Sequence, residues 1–297
     1  MNADIHIMYR GVSNEESSFG SRDDVVPAVD FALICSRHAQ GQVDDSVAAT
    51  TDANFVAPAV FQAAGPSPNS IQSVVTDFRA ALGGNNNNND GAHGSGRREI
   101  NWDGGNPANL TTTISANPFA GFQVSRGALF TTPDGTGFVQ APPSGLASAA
   151  VFNNPSYATI FAAFSQSRLF SPIGSNVTDV DFFVPGGGAA ATTRGFAAVF
   201  ADVDQPDGSG PGEKRGNRKA STLIEYFGVH GELLFSSFVP ASPGDRGLSF
   251  FGVVFTDARI AHVRITSGNA VPGADDTGKQ DVVMMDDFIY GEPAGIQ

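Results

Sequence analysis

Cysteine is nearly absent from this sequence. The 297-residue chain carries one, Cys35, so no disulfide can form within it. A chain of this length can bury a large core without covalent staples, so the lack does not exclude an exported protein. His38 stands three residues beyond Cys35, but both fall in a stretch without sustained periodicity, a poor setting for a nucleophile. Tryptophan and tyrosine are also scarce, one and four against 24 phenylalanines. Sugar sites stack rings on exposed Trp or Tyr, so Trp102, Tyr157, Tyr226 and Tyr290 are the candidate platforms. Trp102 lies in apolar alternation and reads as core.

Basic residues number 17 against 30 acidic ones, for a net charge of −13. The densest basic stretch, Glu213–Lys219, is broken by Gly and Asn, and a nucleic-acid partner is excluded on that ground. An acidic surface instead suits solubility and divalent cations. No apolar run reaches the roughly 18 residues of a membrane-spanning helix. H-E-x-x-H, G-x-S-x-G and the P-loop are all missing. The five histidines are scattered, with His230 in a tight turn and His262 on the solvent face of a strand. The catalytic alternative is a carboxylate pair recruited from Asp179, Asp181, Glu225 and Asp245 as glycosidase acid and base.

What is abundant is strand and turn formers. Residues 1–66 show no sustained period and read as an irregular leader. Val25–Gln42 within it has the look of a degenerate signal region, with Asp30 interrupting its apolar segment. Ile71, Val74, Val75, Phe78, Ala81 and Leu82 then follow helical spacing, which predicts one amphipathic helix over 69–82. Gly83–Gly96, with its run of asparagines, reads as a flexible surface loop. From Arg97 onward, short β-branched and aromatic runs alternate with turns, the pattern of a sandwich or barrel. Two hairpins are expected. One is centred on Gly228–Gly231; the other joins "FFGVVF" to "IAHVRIT" through Thr256–Arg259.

Assembled, the last third reads "GFAAVFADVD", "STLIEYFGVHGELLFSSFVPA", "LSFFGVVFTDARIAHVRITSG" and "DVVMMDDFIYGE". This series resembles the jelly-roll modules of bacterial exported proteins, a group akin to galactose-binding and carbohydrate-binding β-sandwiches. "REINWDGG" and "GFVQAPPSG" extend the resemblance over residues 97–291. It implies an all-β jelly-roll sandwich of about ten strands, to which the helical spacing adds one N-terminal helix. Residues 67–291 would form the domain and 292–297 a tail. It also implies a secreted or cell-envelope location, a carbohydrate or other surface ligand, and a structural calcium between the entry strand and the closing strand. The matching positions are Glu99 or Asp103 and Asp286 or Asp287.

Those residues pose a problem on their own. Asp286 and Asp287 stand side by side in an apolar strand. By simple alternation they point to opposite faces, Asp286 with Met284, Phe288 and Tyr290, and Asp287 with Met285 and Ile289. A buried carboxylate needs a partner or a proton. Calcium, an arginine (Arg97, Arg98 or Arg264) or backbone amides would each serve. A second acidic group, Asp202, Asp204 and Asp207, begins like a calcium loop, with Glu213 in the twelfth place, but strand patterns rather than helices flank it. The reading that emerges is a non-catalytic surface-binding module with calcium in a structural role. The alternatives are a glycan-active hydrolase and a purely structural matrix or adhesion protein.

Overall fold

The computed structural model describes residues 57–89, 91–104, 110–204, 222–277 and 279–296. In chain order, β1 (Ala59–Gly65) leads into α1 (Pro68–Leu82), then β2 (Arg97–Ile100), β3 (Thr112–Ile114) and β4 (Phe119–Phe122). The one-turn helix α2 (Gln123–Arg126) precedes β5 (Ala128–Thr131) and β6 (Gly137–Ala141), and α3 (Pro143–Leu146) and α4 (Tyr157–Ile160) follow. Next come β7 (Leu169–Ile173), β8 (Val177–Phe182), β9 (Ala191–Thr192), β10 (Gly195–Ala201), β11 (Leu223–Phe227) and β12 (Leu233–Phe238). The chain closes with β13 (Leu248–Val254), β14 (His262–Thr266), β15 (Met284–Gly291) and β16 (Ala294–Gly295).

The strands form an all-β sandwich. The larger sheet runs β1-β13-β10-β15-β7-β6-β3, with β2 also paired to β15, and the facing sheet runs β12-β11-β14-β8-β5-β4. All pairings within the two sheets are antiparallel. Sixteen strands among the described residues exceed the ten expected, because several are short edge pieces.

The larger sheet is covered on both faces. One face meets the smaller sheet through Phe196, Phe200, Phe251 and Phe288, against Phe130, Val180, Ile224 and Val263. Its other face packs on α1, where Ile71, Val75, Phe78 and Leu82 form the buried stripe that the helical spacing predicts. This double burial explains why β10, β13 and β15 read as nearly continuous apolar runs. Gly252 is required by it: a Cβ there would stand 2.2 Å from the Cβ of Ala197 and 3.0 Å from the ring of Phe78. Phe78 can therefore lie on the sheet and meet Phe250 edge-on at 5.5 Å.

Four expectations need correction. β1 lies inside the stretch read as irregular. Its Ala- and Gln-rich sequence has little intrinsic strand preference, and it is ordered by pairing along β13 from Ala59↔Val254 to Gly65↔Leu248. Thr256–Arg259 is not a hairpin turn, because β13 pairs with β10 and β1 while β14 pairs with β11 and β8 in the other sheet. The connection crosses between layers. The asparagine loop is anchored, with Asn87 buried and donating to Ser95 O at 2.7 Å and to Glu292 Oε2 at 3.0 Å. The expected tail includes β16, which pairs with β9.

Candidate functional site

The pair Asp286–Asp287 departs from alternation, and the pairing of β10 with β15 shows why. The register passes from Ala198↔Phe288 to Phe200↔Met285, so Val199 alone faces both aspartates. This is a β-bulge, which turns two successive side chains toward one region. It also resets the faces. Met285, Phe288 and Tyr290 enter the core between the sheets, while Met284 and Ile289 face α1.

Both carboxylates consequently reach Ser165. Its hydroxyl lies 2.6 Å from Asp287 Oδ1, 3.3 Å from Asp286 Oδ1 and 3.3 Å from Asp103 Oδ2. A serine has one proton to donate, and the short contact assigns it to Asp287. Asp286 also accepts from Phe164 N at 2.7 Å, and Asp103 accepts from Ser167 N and Arg168 N at 3.2 and 3.0 Å. Asp286 is completely buried, and burial, followed by repulsion from Asp287, holds its carboxyl well above the usual range. Burial also raises Asp287, against the hydrogen bonds of Ser165 and Asp286 and the charge of Arg79. The arrangement suits one neutral acid sharing its proton within the group.

Glu99 is held differently. Arg79 grips both its oxygens, with contacts of 3.2, 3.2 and 2.7 Å, and Arg97 Nε donates at 2.6 Å. Arg79 Nη2 also lies 3.5 Å from Asp287 Oδ2. The donors that meet Glu99, Asp103, Asp286 and Asp287 thus come from the protein itself. A cation bridging the entry and closing strands would have to displace Ser165 and compete with two guanidinium groups. Of the arginines weighed from the sequence, Arg97 serves this group. Arg98 binds Glu292 and Arg264 binds Asp179. Arg79 was not foreseen, because it projects from α1 and only packing brings it here.

A second acidic group is assembled where β10 ends. Asp202 follows β10 in left-handed backbone with φ 72°, and Asp204 lies two residues beyond. One carboxylate oxygen from each of Asp202, Asp204 and Asp276 lies within 4.8 Å of the others. Asp281 is close, its Oδ1 accepting from Asp204 N at 3.4 Å. Burial, then the close approach of Asp276 and repulsion from Asp204, Asp276 and Asp281, pushes Asp202 up to about 9. Burial pushes Asp276 up to about 6. Asp207 and Glu213 lie outside the described residues. Asp276 was missed because no local spacing links it to Asp202. The link is topological: β10 runs antiparallel to β15, with Ala201 opposite Met284, so the segment leading into β15 meets the end of β10.

A third feature is a surface groove of about 480 Å³ beside the β11–β12 turn. Thr192, Glu232, Asp257 and Arg259 supply its polar groups, and Val229 and Ile296 its apolar wall. Arg259 pairs with Asp257 at 2.5 Å and lies over the ring of Phe255.

No family model matches this sequence, and no curated protein matches it. One solved structure is similar in part, the K2 cleaved adhesin domain of Lys-gingipain. It is 12% identical, with a TM-score of 0.30, covering 65% of this chain and 98% of that one.

The tyrosines proposed as sugar platforms are all buried and offer no ring to solvent. Tyr157 donates to Ala274 O at 2.7 Å, Tyr226 to Phe196 O at 3.3 Å and Tyr290 to Arg126 O at 3.0 Å. Each fills the core with its apolar body and spends its hydroxyl on a backbone carbonyl. Trp102 is core, stacked on Phe170 at 3.6 Å. On the outer face of the smaller sheet, Asp179 takes a two-pronged contact from Arg264 at 2.7 and 2.8 Å. His262 sits between Asp179 and Asp181 at 3.3 and 2.8 Å.

Proposed function

We propose that this chain is a non-catalytic β-sandwich module of an exported or cell-envelope protein, and that it binds a hydroxyl-rich ligand of the carbohydrate class. The observation that carries this reading is the groove beside the β11–β12 turn. It combines two carboxylates, a guanidinium and a hydroxyl with a short apolar wall. Carboxylate and guanidinium groups exchange paired hydrogen bonds with neighbouring hydroxyls, and aliphatic side chains pack on the C–H face of a sugar ring. Orientation by a few placed polar groups on an apolar lining is the usual plan of a small-molecule site.

The hydrolase reading ranks second. It needs one carboxyl that holds a proton and another that is free to attack or activate water, at a set separation. Hydrogen bonds from Arg264 and His262 outweigh burial and hold Asp179 below the usual carboxylate range, which suits an ion-pair partner rather than an acid catalyst.

The test is a glycan array followed by calorimetric titration of the strongest hit, using the native chain and Arg259→Ala. The expected result is binding that falls at least about tenfold in the variant, the loss of one or two charge-assisted hydrogen bonds. An array without hits, or affinity unchanged in Arg259→Ala, rejects the groove as the ligand site.

A further inference from the structure

The two acidic groups differ in one respect. Around Ser165, hydroxyl, amide and guanidinium donors meet the carboxylates. At the end of β10 such donors are largely missing among the described residues. Asp202 is 1% exposed, and its Oδ1 is buried with no hydrogen-bond partner. Neither carboxylate oxygen of Asp276 has a partner of normal geometry, although both atoms are buried. Asp204 accepts from Gly244 N at 2.7 Å. Among the described residues, no lysine, arginine or histidine forms an ion pair with Asp202, Asp204 or Asp276.

An unpaired buried carboxylate such as Asp202 is costly, and more so with the half-buried Asp204 and Asp276 facing it. We propose that Asp202, Asp204 and Asp276 form a calcium site that ties the end of β10 to the segment entering β15. Calcium binds oxygen at about 2.3–2.6 Å, so two oxygens on opposite sides of one ion stand at most about 5 Å apart. The 4.8 Å limit on the three carboxylate oxygens falls inside that span. Hard anionic oxygens are the ligands calcium prefers, and its flexible coordination suits donors drawn from two separate segments. The site joins residues 72 or more positions apart in sequence, so binding would cross-link the folded chain and stabilise it.

The reading has a distinctive sign. Without calcium, the cluster is a site of repulsion. Asp202→Asn removes one carboxylate ligand and keeps the shape, and asparagine tolerates left-handed backbone as aspartate does. The variant should therefore melt at or above the temperature of the native chain in excess EDTA, and below it in millimolar calcium. Calcium titrated alone into the native full chain should bind, and binding should weaken about tenfold or more in both Asp202→Asn and Asp276→Asn, each removing one anionic ligand. Ser165→Ala, at the other acidic group, should bind calcium as the native chain does. The assignment is overturned if the native chain melts identically in EDTA and calcium, or if Asp202→Asn and Asp276→Asn bind calcium as tightly as the native chain. It is overturned equally if Ser165→Ala, rather than these two, loses the ion. A cluster that merely shares a proton would give a melting temperature indifferent to calcium.

Discussion

Arg98 offers the sharpest test of how the fold is fastened. It is fully buried, and its guanidinium has five N–H donors. All five are used. Nε and Nη2 grip Glu292 at 2.7 and 2.6 Å, Nη1 donates to Asn89 O and Ser125 O at 2.8 and 3.1 Å, and Nη2 donates to Gly91 O. Glu292 in turn accepts from Asn87 Nδ2 and His93 N, both at 3.0 Å. One ion pair therefore anchors the asparagine loop to the chain just past β15. Arg98→Met leaves the Glu292 carboxylate buried without its counter-ion, and breaking a buried pair from one side costs about 3–5 kcal/mol. For a domain of this size that corresponds to a fall of about 6–20 °C in melting temperature. Glu292→Met strands the guanidinium instead and should cost a similar amount. The double variant Arg98→Met/Glu292→Met buries no lone charge, so it should lose clearly less than the sum of the two. Denaturant melts of all four proteins measure this. Losses below 1 kcal/mol for each single variant, or strict additivity in the double, would refute the anchoring role.

Two further outcomes follow from the titrating groups. Burial opposes the charge on His262, but hydrogen bonds to Asp179 and Asp181 outweigh it and push its imidazole up to about 9. Its folded pKa lies above the unfolded value, so its stabilisation is complete below about pH 6.5 and is lost as pH rises through about 9. The melting temperature should decline across that window in the native chain and less in His262→Gln, and proton NMR should show the ring titrating near 9; titration near 6.5 contradicts the clamp. Asp286 shifts stability in the same direction, as an acid whose folded pKa burial and the neighbouring Asp287 raise, so the native chain loses stability as pH climbs above the ordinary carboxylate range. Asp286→Asn keeps an acceptor for Phe164 N and should match or exceed the native melting temperature at pH 8, the gain shrinking toward pH 4; a loss at pH 8 would show that Asp286 works as an anion.

The sequence made most of the architecture legible for a physical reason. Strands and helices that bury a stripe or a face must repeat their apolar residues, so α1 and the longer strands from β2 onward could be read close to their ends, whereas β3, β9 and β16 are too short to show a pattern. What it hid is what depends on pairing rather than on pattern. β1 is Ala- and Gln-rich and takes its order from β13. β13 and β14 look like a hairpin because a short polar turn separates them, yet each pairs within its own sheet. The anchored asparagine loop was misread for the same reason. Composition describes what Asn87 and its neighbours prefer, whereas Arg98 and Glu292 decide where they stay.

The acidic residues show the same division more sharply. Alternation sends Asp286 and Asp287 to opposite faces, and one inserted residue opposite Val199 brings them together at Ser165. A bulge leaves no compositional mark, so side-by-side carboxylates in an apolar run were its outward sign. At the end of β10, D-x-D spacing found Asp202 and Asp204, and antiparallel pairing with β15 supplied Asp276. The same β10–β15 pairing thus carries both groups, one at its bulge and one at its end. The first is closed by donors from α1, β2 and the Phe164–Arg168 segment. Among the described residues, the second has the Gly244 amide on Asp204, while Asp202 Oδ1 and both Asp276 oxygens are buried without a hydrogen-bond partner. Among the described residues, neighbouring carboxylates thus meet donors at the bulge and largely lack them at the end of β10, which is why the proposed calcium site falls on the second group and not the first.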